Sequence, residues 1–359
     1  MSLQIGKETS LPPGLFNKRL GILAMQGAGK TYAVGVLEEE MLDYIGKHKD
    51  DENNAKIIII DPVGAHWGIR SHFPIHIVGG EHSDMDLDPD SGKLFGEMVD
   101  KFNLSMLFDL SQFEQDDMTR FVTDFLNKLF QITKTPTHVI LEEADMFAPQ
   151  RGTSKFQKFS LAAVDSVVRR GRGRGLGVTM ITQRPAVLNK NVLTQVDASI
   201  ILNITGERDL DTIREYLSSA GSNRKEIANH IEKIMKFKKG QGLLFSPSWL
   251  ETTKIINIRQ RVSFHSGAEP ELGKVNPADS IKLIKMNIQP IIEYLNGDKN
   301  IKLDLDTSVR ENKWSGSPDS VFKDFTVPEQ INGPKNATAT IIVLVVSALF
   351  TFAVLSFFS

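Results

Sequence analysis

The sequence predicts an α/β fold, with a mostly parallel sheet flanked by helices and a transmembrane helix near the C-terminus. Three observations lead to this prediction. Short apolar runs alternate with helical patterns along most of the chain, as in doubly covered parallel sheets. A glycine-rich segment joins the first of these strands to a long helix. Residues 337–358 carry no charged side chain and are long enough to cross a bilayer.

The individual elements follow from the same patterns. Strands are predicted at short apolar runs, which suit parallel strands covered on both faces: Leu20–Ala24, Lys56–Asp61, Ser105–Asp109, His138–Leu141, Gly177–Ile181 and Ser199–Ile204. Helices are predicted where apolar residues recur at helical spacing: Thr31–Ile45, Gln115–Phe130, Phe156–Arg170, Glu207–Ser218 and Arg224–Lys236. Short β segments are expected at Gln241–Phe245 and Lys254–Arg259, and a further helix at Ser280–Leu295.

Composition limits the classes of protein that fit. The chain has 359 residues, of which 41% are hydrophobic, enough for one large α/β domain with additions. It has no cysteine, which excludes disulfides and thiolate metal sites. The formal charge of −2 argues against a generally basic surface, so any contact with nucleic acid must be local.

The glycine-rich segment Leu20–Thr31 has the pattern of a phosphate-binding P-loop. Glycines let consecutive backbone N–H groups surround a phosphate, while Lys30 reaches the β- and γ-phosphates and the Thr31 hydroxyl binds Mg²⁺. The usual first glycine of the pattern is replaced by Ala24. A simple strand-to-helix turn is the alternative. The residues predicted to bind nucleotide are Gln26, Gly27, Ala28, Gly29, Lys30, Thr31 and Tyr32.

A second buried strand ends in two acids. An apolar run at 139–141 leads directly into Glu142 and Glu143. Glu142 is placed to hold Mg²⁺, and Glu143 to orient and deprotonate the water that attacks a γ-phosphate. Adjacent acids at a strand end can also form a solvated turn or begin the next helix. Their occurrence together with a P-loop favours the catalytic interpretation.

A basic run follows, in a chain that is otherwise slightly acidic. Between residues 151 and 174 the sequence contains a single acid, Asp165, and seven basic residues: Arg151, Lys155, Lys158, Arg169, Arg170, Arg172 and Arg174. The run fits a solvated face, arginines that reach a neighbouring subunit's γ-phosphate, or contacts to a phosphate backbone. Gln183 ends the next strand and is a candidate to hydrogen-bond the attacking water or the γ-phosphate, or simply nearby backbone.

The two ends of the chain differ. Residues 1–14 are polar and are predicted to form an N-terminal extension of the ATPase domain at 15–265. Residues 266–336 are predicted to contain a helix and a polar linker, and residues 337–358 a single-pass membrane anchor. A buried core helix is the alternative for the anchor. Lys323 and Lys335 are expected on the side where ATP is present, so the ATPase domain is placed in the cytoplasm.

These motifs together resemble the HerA branch of the HerA/FtsK ATPases over about residues 15–265. The matching segments, in order, are Ala24–Thr31, Ile60–Gly64, Leu141–Gln150, Gly171–Val178 and Ile181–Pro185. The resemblance implies a RecA-like P-loop NTPase core, a hexameric ring with ATP at the subunit interfaces, and a central pore that moves double-stranded DNA.

The resemblance also assigns roles by position. Lys30 and Thr31 match the Walker A pair, Glu142 and Glu143 the Walker B acids, and Gln183 the sensor amide. The trans-acting arginine falls at Arg172 or Arg174, since the glycine–arginine run allows more than one alignment. Two departures from the family are expected. The N-terminal β-barrel of full-length HerA helicases is not expected here, because only about 15 residues precede the first core strand, and a C-terminal anchor is predicted.

The expected function is a membrane-anchored, ring-forming ATPase that couples ATP hydrolysis to translocation of double-stranded DNA, with ATP and Mg²⁺ as ligands. Expected partners are further copies of the chain, double-stranded DNA, the membrane, and membrane or nuclease proteins. Two alternatives remain open at this point. One is an ATPase that energises a membrane export or genome-packaging machine, and the other is a nucleotide-gated scaffold.

Overall fold

A mostly parallel sheet lies at the centre of the protein. The computed structural model describes residues 2–49, 54–268 and 280–297. The strands in this part of the chain are β1 (Leu3–Gly6), β2 (Thr9–Leu11), β3 (Arg19–Leu23), β4 (Lys56–Asp61), β5 (His76–Val78), β6 (Met106–Asp109), β7 (Thr137–Leu141), β8 (Leu176–Thr182), β9 (Ala198–Ile201), β10 (Gln241–Ser246) and β11 (Thr252–Asn257). Strands β1 and β2 form a separate antiparallel hairpin.

The other strands form one sheet in the order β11-β10-β9-β3-β8-β7-β4-β6-β5. Strand β10 pairs antiparallel with both of its neighbours, and the pairings from β9 to β5 are parallel. The prediction of a mostly parallel sheet is therefore confirmed. Because parallel strands end at the same edge, the carboxyl ends of β3, β8, β7 and β4 lie side by side, with β8 between β3 and β7.

Helices connect the strands and cover the sheet. They are α1 (Lys30–Lys47), α2 (Gly92–Lys101), α3 (Gln115–Ile132), α4 (Ala144–Phe147), α5 (Lys155–Arg170), α6 (Lys190–Leu193), α7 (Glu207–Ser219), α8 (Arg224–Ile234) and α9 (Gln289–Leu295). Every residue of the central strands β4, β7 and β8 is buried, as their apolar sequences predict.

Alternate strand residues feed two apolar clusters. One cluster holds Leu23, Ile58 and Ile60 together with side chains of α2, α3 and α5. The other holds Ile57 and Ile59 together with side chains of α1 and of the β1–β2 hairpin. The alternation of β4 between the clusters follows from the two-residue period of a strand. Helix α1, which begins at the P-loop, is thereby fixed against β3 and β4.

The last described helix, α9, is shorter than predicted. The helix expected at Ser280–Leu295 was wrong over its first half, since the described helix is Gln289–Leu295. Pro290 fits the first turn of a helix, where its missing N–H needs no partner. The preceding residues instead run without regular structure, and the Ile284 N–H donates to the Arg70 carbonyl (3.0 Å).

Helix α2 was not predicted. Its two glycines, Gly92 and Gly96, lower the intrinsic preference for helix. They are needed because α2 packs closely on α3, where a Cβ at Gly92 would lie 2.5 Å from the Phe121 carbonyl oxygen. A Cβ at Gly96 would lie 3.0 Å from the Lys128 Cβ. The close packing of α2 on α3 therefore explains both glycines, which by helix propensity alone would argue against a helix here.

The N-terminal residues pack against the core. In the β1–β2 hairpin, Leu3, Ile5 and Leu11 are buried, and the Gln4 N–H donates to Glu40 Oε2 of α1 (2.7 Å). The described residues belong to one compact unit. Within ranges 2–49, 54–268 and 280–297, no helix has the length and apolarity to span a bilayer. The predicted anchor at 337–358 lies outside the described residues.

Candidate nucleotide-binding site

The P-loop has the backbone conformation that its glycines allow. It runs from the end of β3 to Lys30, the first residue of α1, and Gly27 and Gly29 have φ of 77° and 92°. L-residues with a side chain rarely adopt such angles, so glycine is required at both positions. Gln26 and Gly27 are exposed, whereas Ala28 is buried. The loop thus presents backbone to solvent just before a long helix, the arrangement that binds phosphate.

The ammonium group of Lys30 lies between the two acids that follow β7. Its Nζ is 2.7 Å from Glu142 Oε1 and 2.6 Å from Glu143 Oε1. Lys30 and Glu142 are almost fully buried, with 5% and 2% of their side chains exposed. The Gln183 amide, just beyond β8, donates to the same Glu143 oxygen. The structure therefore brings together the predicted Lys30, Glu142, Glu143 and Gln183 at the carboxyl edge of the sheet.

Glu143 has an unusual backbone conformation. Its φ and ψ are 46° and 52°, in the left-handed region, directly before α4. This conformation costs a non-glycine residue of order 1–3 kcal/mol and tends to occur at functional sites. The next turn is fixed by Asp145, whose Oδ1 accepts a hydrogen bond from the Thr182 hydroxyl (2.6 Å). Because Thr182 is followed directly by Gln183, this hydrogen bond holds the residues after β7 and the end of β8 in fixed relative positions.

A buried group of charges lies beneath Glu142 and was not anticipated from the sequence. His66 Nδ1 is 2.7 Å from Glu38 Oε1 of α1, and its Nε2 is 3.7 Å from Glu142 Oε2. Asp61, at the end of β4, accepts hydrogen bonds from the backbone N–H groups of Val63, Gly64 and His66. The motif Ile60–Gly64 was noted in the sequence, but nothing in it predicted that His66 would reach Glu142.

The protonation states follow from this arrangement. Burial alone would lower the pKa of His66, but the carboxylates of Glu38 and Asp61 outweigh it and raise the pKa well above 6.5. Burial also opposes the charges of Glu142 and Lys30. For Glu142, the effect of burial is outweighed by His66 and Lys30, which lower its pKa. For Lys30, it is outweighed by Glu142 and Glu143, which raise its pKa. At neutral pH, Lys30 and His66 are therefore positively charged and Glu142 is negatively charged.

The residues present fit a magnesium nucleotide. Glu142 Oε2 is buried and has no hydrogen-bond partner among the described residues, so it is available to a metal ion or its water. Thr31 is half-buried at the start of α1, one residue from Lys30. No group of three or more His, Cys, Asp or Glu in the described ranges is arranged to hold a metal. Thr31, Glu142 and phosphate oxygens are thus the ligands that this edge offers to Mg²⁺.

The structure does not bring Arg172 and Arg174 to this site. Both lie in a 3₁₀ turn, Gly171–Arg174, before the amino end of β8, whereas Gln183 follows its carboxyl end. The seven residues of β8 separate these ends by about 20 Å. Arg174 donates to the Gln131 carbonyl (3.2 Å), and its guanidinium lies 4.6 Å from the centre of the Phe130 ring. Neither arginine is placed to reach a nucleotide bound by its own chain.

The comparisons with known proteins point to one family. Residues 10–144 match the family described as "Helicase HerA, central domain". The resemblance to HerA-type P-loop ATPases that the motifs indicated is thereby confirmed. The matched residues include the P-loop, Asp61 and both glutamates after β7, so they contain most of the site described above.

Two curated relatives show how far the similarity extends. The DNA double-strand break repair helicase HerA of Pyrococcus furiosus is 32% identical over 103 residues, which is 29% of this chain and 18% of the relative. The protein of the same name from Sulfolobus acidocaldarius is 22% identical over 191 residues, 50% of this chain and 36% of the relative. The similarity therefore spans about a fifth to a third of these relatives' length.

Solved structures with a similar chain trace include the genome packaging NTPase of Sulfolobus turreted icosahedral virus 2, solved in complex with sulfate. It is 19% identical, with a TM-score of 0.46, and the match covers 68% of this chain and 98% of that one.

Proposed function

We propose that the chain is an ATPase that forms a ring and couples ATP hydrolysis to the translocation of double-stranded DNA. The observation that carries the proposal is the contact of Lys30 with both Glu142 and Glu143. It joins the P-loop to a metal-binding acid and to an acid suited to act as a base. A binding protein that only holds nucleotide needs no such base.

In the proposed reaction, a water oxygen attacks the γ-phosphorus, the bond to the β-phosphate oxygen breaks, and Glu143 accepts the proton from water. Lys30 turns from the carboxylates toward the phosphates and offsets the charge that develops there. Mg²⁺, when bound, supplies further positive charge to the phosphate oxygens. The Gln183 amide donates a hydrogen bond to Glu143. Once Glu143 moves to accept the proton from water, Gln183 would hydrogen-bond the water or the γ-phosphate.

We assign the trans-acting arginine to Arg172 rather than Arg174. Arg174 is held by Gln131 and by the Phe130 ring of its own chain. Arg172 is exposed, and its side chain makes no hydrogen bond or ion pair with any described residue. An exposed guanidinium at the far edge of the sheet is available to a neighbouring copy, where it would stabilise negative charge at the γ-phosphate. The proposed ring thus completes each site with a second chain.

The basic run offers a surface for DNA. Along α5, Lys155, Lys158 and Arg169 are exposed, and so are the apolar side chains of Phe156 and Phe159. Arg169 pairs with Asp165, the only acid of the run (2.7 Å). Exposed cations bind phosphates without regard to base sequence, and this binding weakens as salt rises. The surface suits a motor that moves along duplex DNA of any sequence.

The experiment is ATP hydrolysis by the full chain with and without linear duplex DNA, at increasing salt. We expect DNA to stimulate turnover, and the stimulation to fall as salt rises because counterions compete for the phosphates. The variant Lys155→Ala/Lys158→Ala should lose stimulation and keep basal turnover. A rate of ATP hydrolysis that duplex DNA does not change at any salt concentration would favour the export ATPase. Nucleotide binding without any hydrolysis would favour the scaffold.

We also propose that residues 337–358 anchor the protein in a membrane, on the strength of their uncharged, apolar sequence. Cell fractionation tests this part separately. The full chain is expected with the membranes and to require detergent for release, whereas a chain truncated after Gly333 should remain in the soluble fraction and bind ATP. Full-length protein in the soluble fraction without detergent would contradict the anchor and leave the ATPase proposal standing.

A further inference from the structure

The γ-phosphate end of the site is marked by Glu142, Glu143 and Gln183, so the nucleoside must leave the P-loop on the other side. A triphosphate bound along the loop directs its α-phosphate past Thr31 and Tyr32, at the start of α1. Two segments border this exit. We call residues 236–240 the lysine loop and residues 259–268 the strap.

The lysine loop touches the P-loop itself. A Cβ added to Gly29 would lie 3.3 Å from Lys239 Cγ and 3.5 Å from the Gly240 nitrogen. Glycine at position 29 therefore serves the close approach of Lys239 as well as the positive φ. The exposed ammonium of Lys239 is carried to the side of the P-loop next to β10, where the α-phosphate and sugar would pass.

The strap contacts the same end of α1. A Cβ on Gly267 would lie 3.1 Å from Thr31 Cγ2 and equally close to Ala65 Cβ. The Ser266 hydroxyl donates to the Ala65 carbonyl (2.7 Å). The Tyr32 hydroxyl accepts a hydrogen bond from the Arg261 backbone N–H (2.7 Å). The strap thus borders the predicted nucleotide-binding residues Thr31 and Tyr32.

Buried charges hold the strap on α1. Glu39, which is fully buried, accepts hydrogen bonds from the backbone N–H groups of Val262 and Ser263 and pairs with Arg259 (2.8 Å). The Arg261 guanidinium is also buried and lies against Gly35, where a Cβ would be 2.3 Å from Nη1. Because a side chain at position 35 would displace Arg261, Gly35 is what lets the strap lie so close to α1.

His265 is the residue of the strap that packs on the Tyr32 ring. Its ring meets the Tyr32 ring edge-on, at 5.5 Å between centres. Its Nδ1 is buried and has no hydrogen-bond partner among the described residues. Burial, together with the positive charges of Arg261, Lys239 and His66, lowers the pKa of His265 to about 4. At neutral pH the imidazole is therefore uncharged. Since Nδ1 is enclosed by protein, the ring edge that carries Nε2 is the part able to hydrogen-bond a nucleoside.

We propose that Tyr32, Lys239 and His265 form the nucleoside subsite, with the base lying between the lysine loop and the strap and hydrogen-bonded to His265 Nε2. This inference rests on the proposed function, since it takes ATP as the ligand. The strap acts as a preformed wall whose position depends on Arg261 and Gly35. A neutral imidazole and an aromatic ring suit a base, whereas the phosphates are left to the P-loop and Lys30.

The test separates nucleoside binding from phosphate binding. The affinities of ATP and of inorganic tripolyphosphate are measured by calorimetry with Mg²⁺, for the full chain and for His265→Ala. The variant should weaken ATP binding about tenfold, the loss expected for a buried hydrogen bond and ring contact. It should leave tripolyphosphate binding within about twofold, because no phosphate contact is removed. The control is His72→Ala, an exposed histidine beside the strap, which should change neither affinity.

A second pair of variants tests the wall without touching His265. Gly35→Ala should displace Arg261 and reproduce the selective loss of ATP affinity. Gly46→Ala on the same helix, where a Cβ meets nothing within 4 Å, should have no effect. Equal losses for ATP and tripolyphosphate, or no loss in either variant, would overturn the subsite. A parent protein that binds tripolyphosphate as tightly as ATP would also overturn it. If the parent binds neither ligand, the proposed function itself fails.

Discussion

Replacing Glu143 with glutamine should separate binding from turnover in a way that follows from its contacts. Glu143 Oε1 lies 2.6 Å from Lys30 Nζ, so a phosphate that binds Lys30 competes with this contact. Glutamine keeps an oxygen that accepts from the Lys30 ammonium and removes only the attraction between the two charges, so the amide should hold Lys30 about 1 kcal/mol less firmly. We therefore expect Glu143→Gln to bind ATP about fivefold more tightly.

The same variant should hydrolyse ATP between about a hundredfold and ten-thousandfold more slowly, the usual contribution of a general base. Affinity is measured by calorimetry with Mg²⁺ and turnover by phosphate release under single-turnover conditions. Glu215→Gln, an exposed glutamate on α7 that pairs with Lys190, is the matched control and should change neither quantity. Turnover within about threefold of the parent would refute Glu143 as the base. A tenfold loss of ATP affinity would refute the competition between Glu143 and phosphate for Lys30.

Three further substitutions test the loop, the ion pairs and the core. Lys30→Ala should abolish nucleotide binding and lower the free energy of unfolding by about 3 kcal/mol, since it breaks a buried ion pair and leaves His66, 3.7 Å away, as the remaining cation beside Glu142. Adding Glu142→Gln should restore most of the stability and none of the binding, and an unchanged urea midpoint for Lys30→Ala would contradict this. Gly29→Ala forces a side chain into φ of 92° and should weaken ATP binding at least about tenfold, whereas equal affinity would show that the loop tolerates it. Phe108→Ala removes a ring packed on three other phenylalanines and should lower the free energy of unfolding in urea by about 3–5 kcal/mol. Phe108→Leu should lower it by less than about 1.5 kcal/mol. A smaller loss for alanine than for leucine would contradict the packing account.

The sequence was sufficient to predict the central strands and the meeting of the site residues. Strands β4, β7 and β8 are continuous apolar runs, and the turns after β3, β7 and β8 carry residues of recognisable chemistry. Because parallel strands share one edge, it followed that Lys30, Glu143 and Gln183 would lie near one another. What did not follow was the order of the strands, which places β8 between β3 and β7 and brings Gln183 directly onto Glu143.

Contacts between distant parts of the chain were beyond the sequence argument. Nothing local marks His66 as a neighbour of Glu38 and Glu142, since those contacts depend on how α1 packs on the sheet. The left-handed backbone conformation at position 143 could not be predicted either, because the residue there is a glutamate rather than the glycine or asparagine typical of that conformation. The strap is likewise defined by partners more than 200 positions away along the chain, among them Tyr32. In each case the tertiary packing, rather than a local preference, determines the conformation.

The position of the arginines raises a separate question, because the sequence suggested their role but not their location. Arg172 and Arg174 lie at the amino end of β8, away from the nucleotide edge of their own chain. If Arg172 takes part in hydrolysis, it must do so at the site of another copy. The central claim of the account is therefore that each ATP is hydrolysed between two chains.

Mixing inactive subunits tests this claim most directly. Arg172→Ala and Glu143→Gln should each be nearly inactive alone, since one lacks the transition-state charge and the other the base. In mixed assemblies, some interfaces combine an intact Glu143 from one chain with an intact Arg172 from the next. We expect ATP hydrolysis to recover in the mixture to a fraction of the parent rate, and to rise with protein concentration. A mixture no more active than its two components, under conditions where co-assembly is verified, would contradict the shared site.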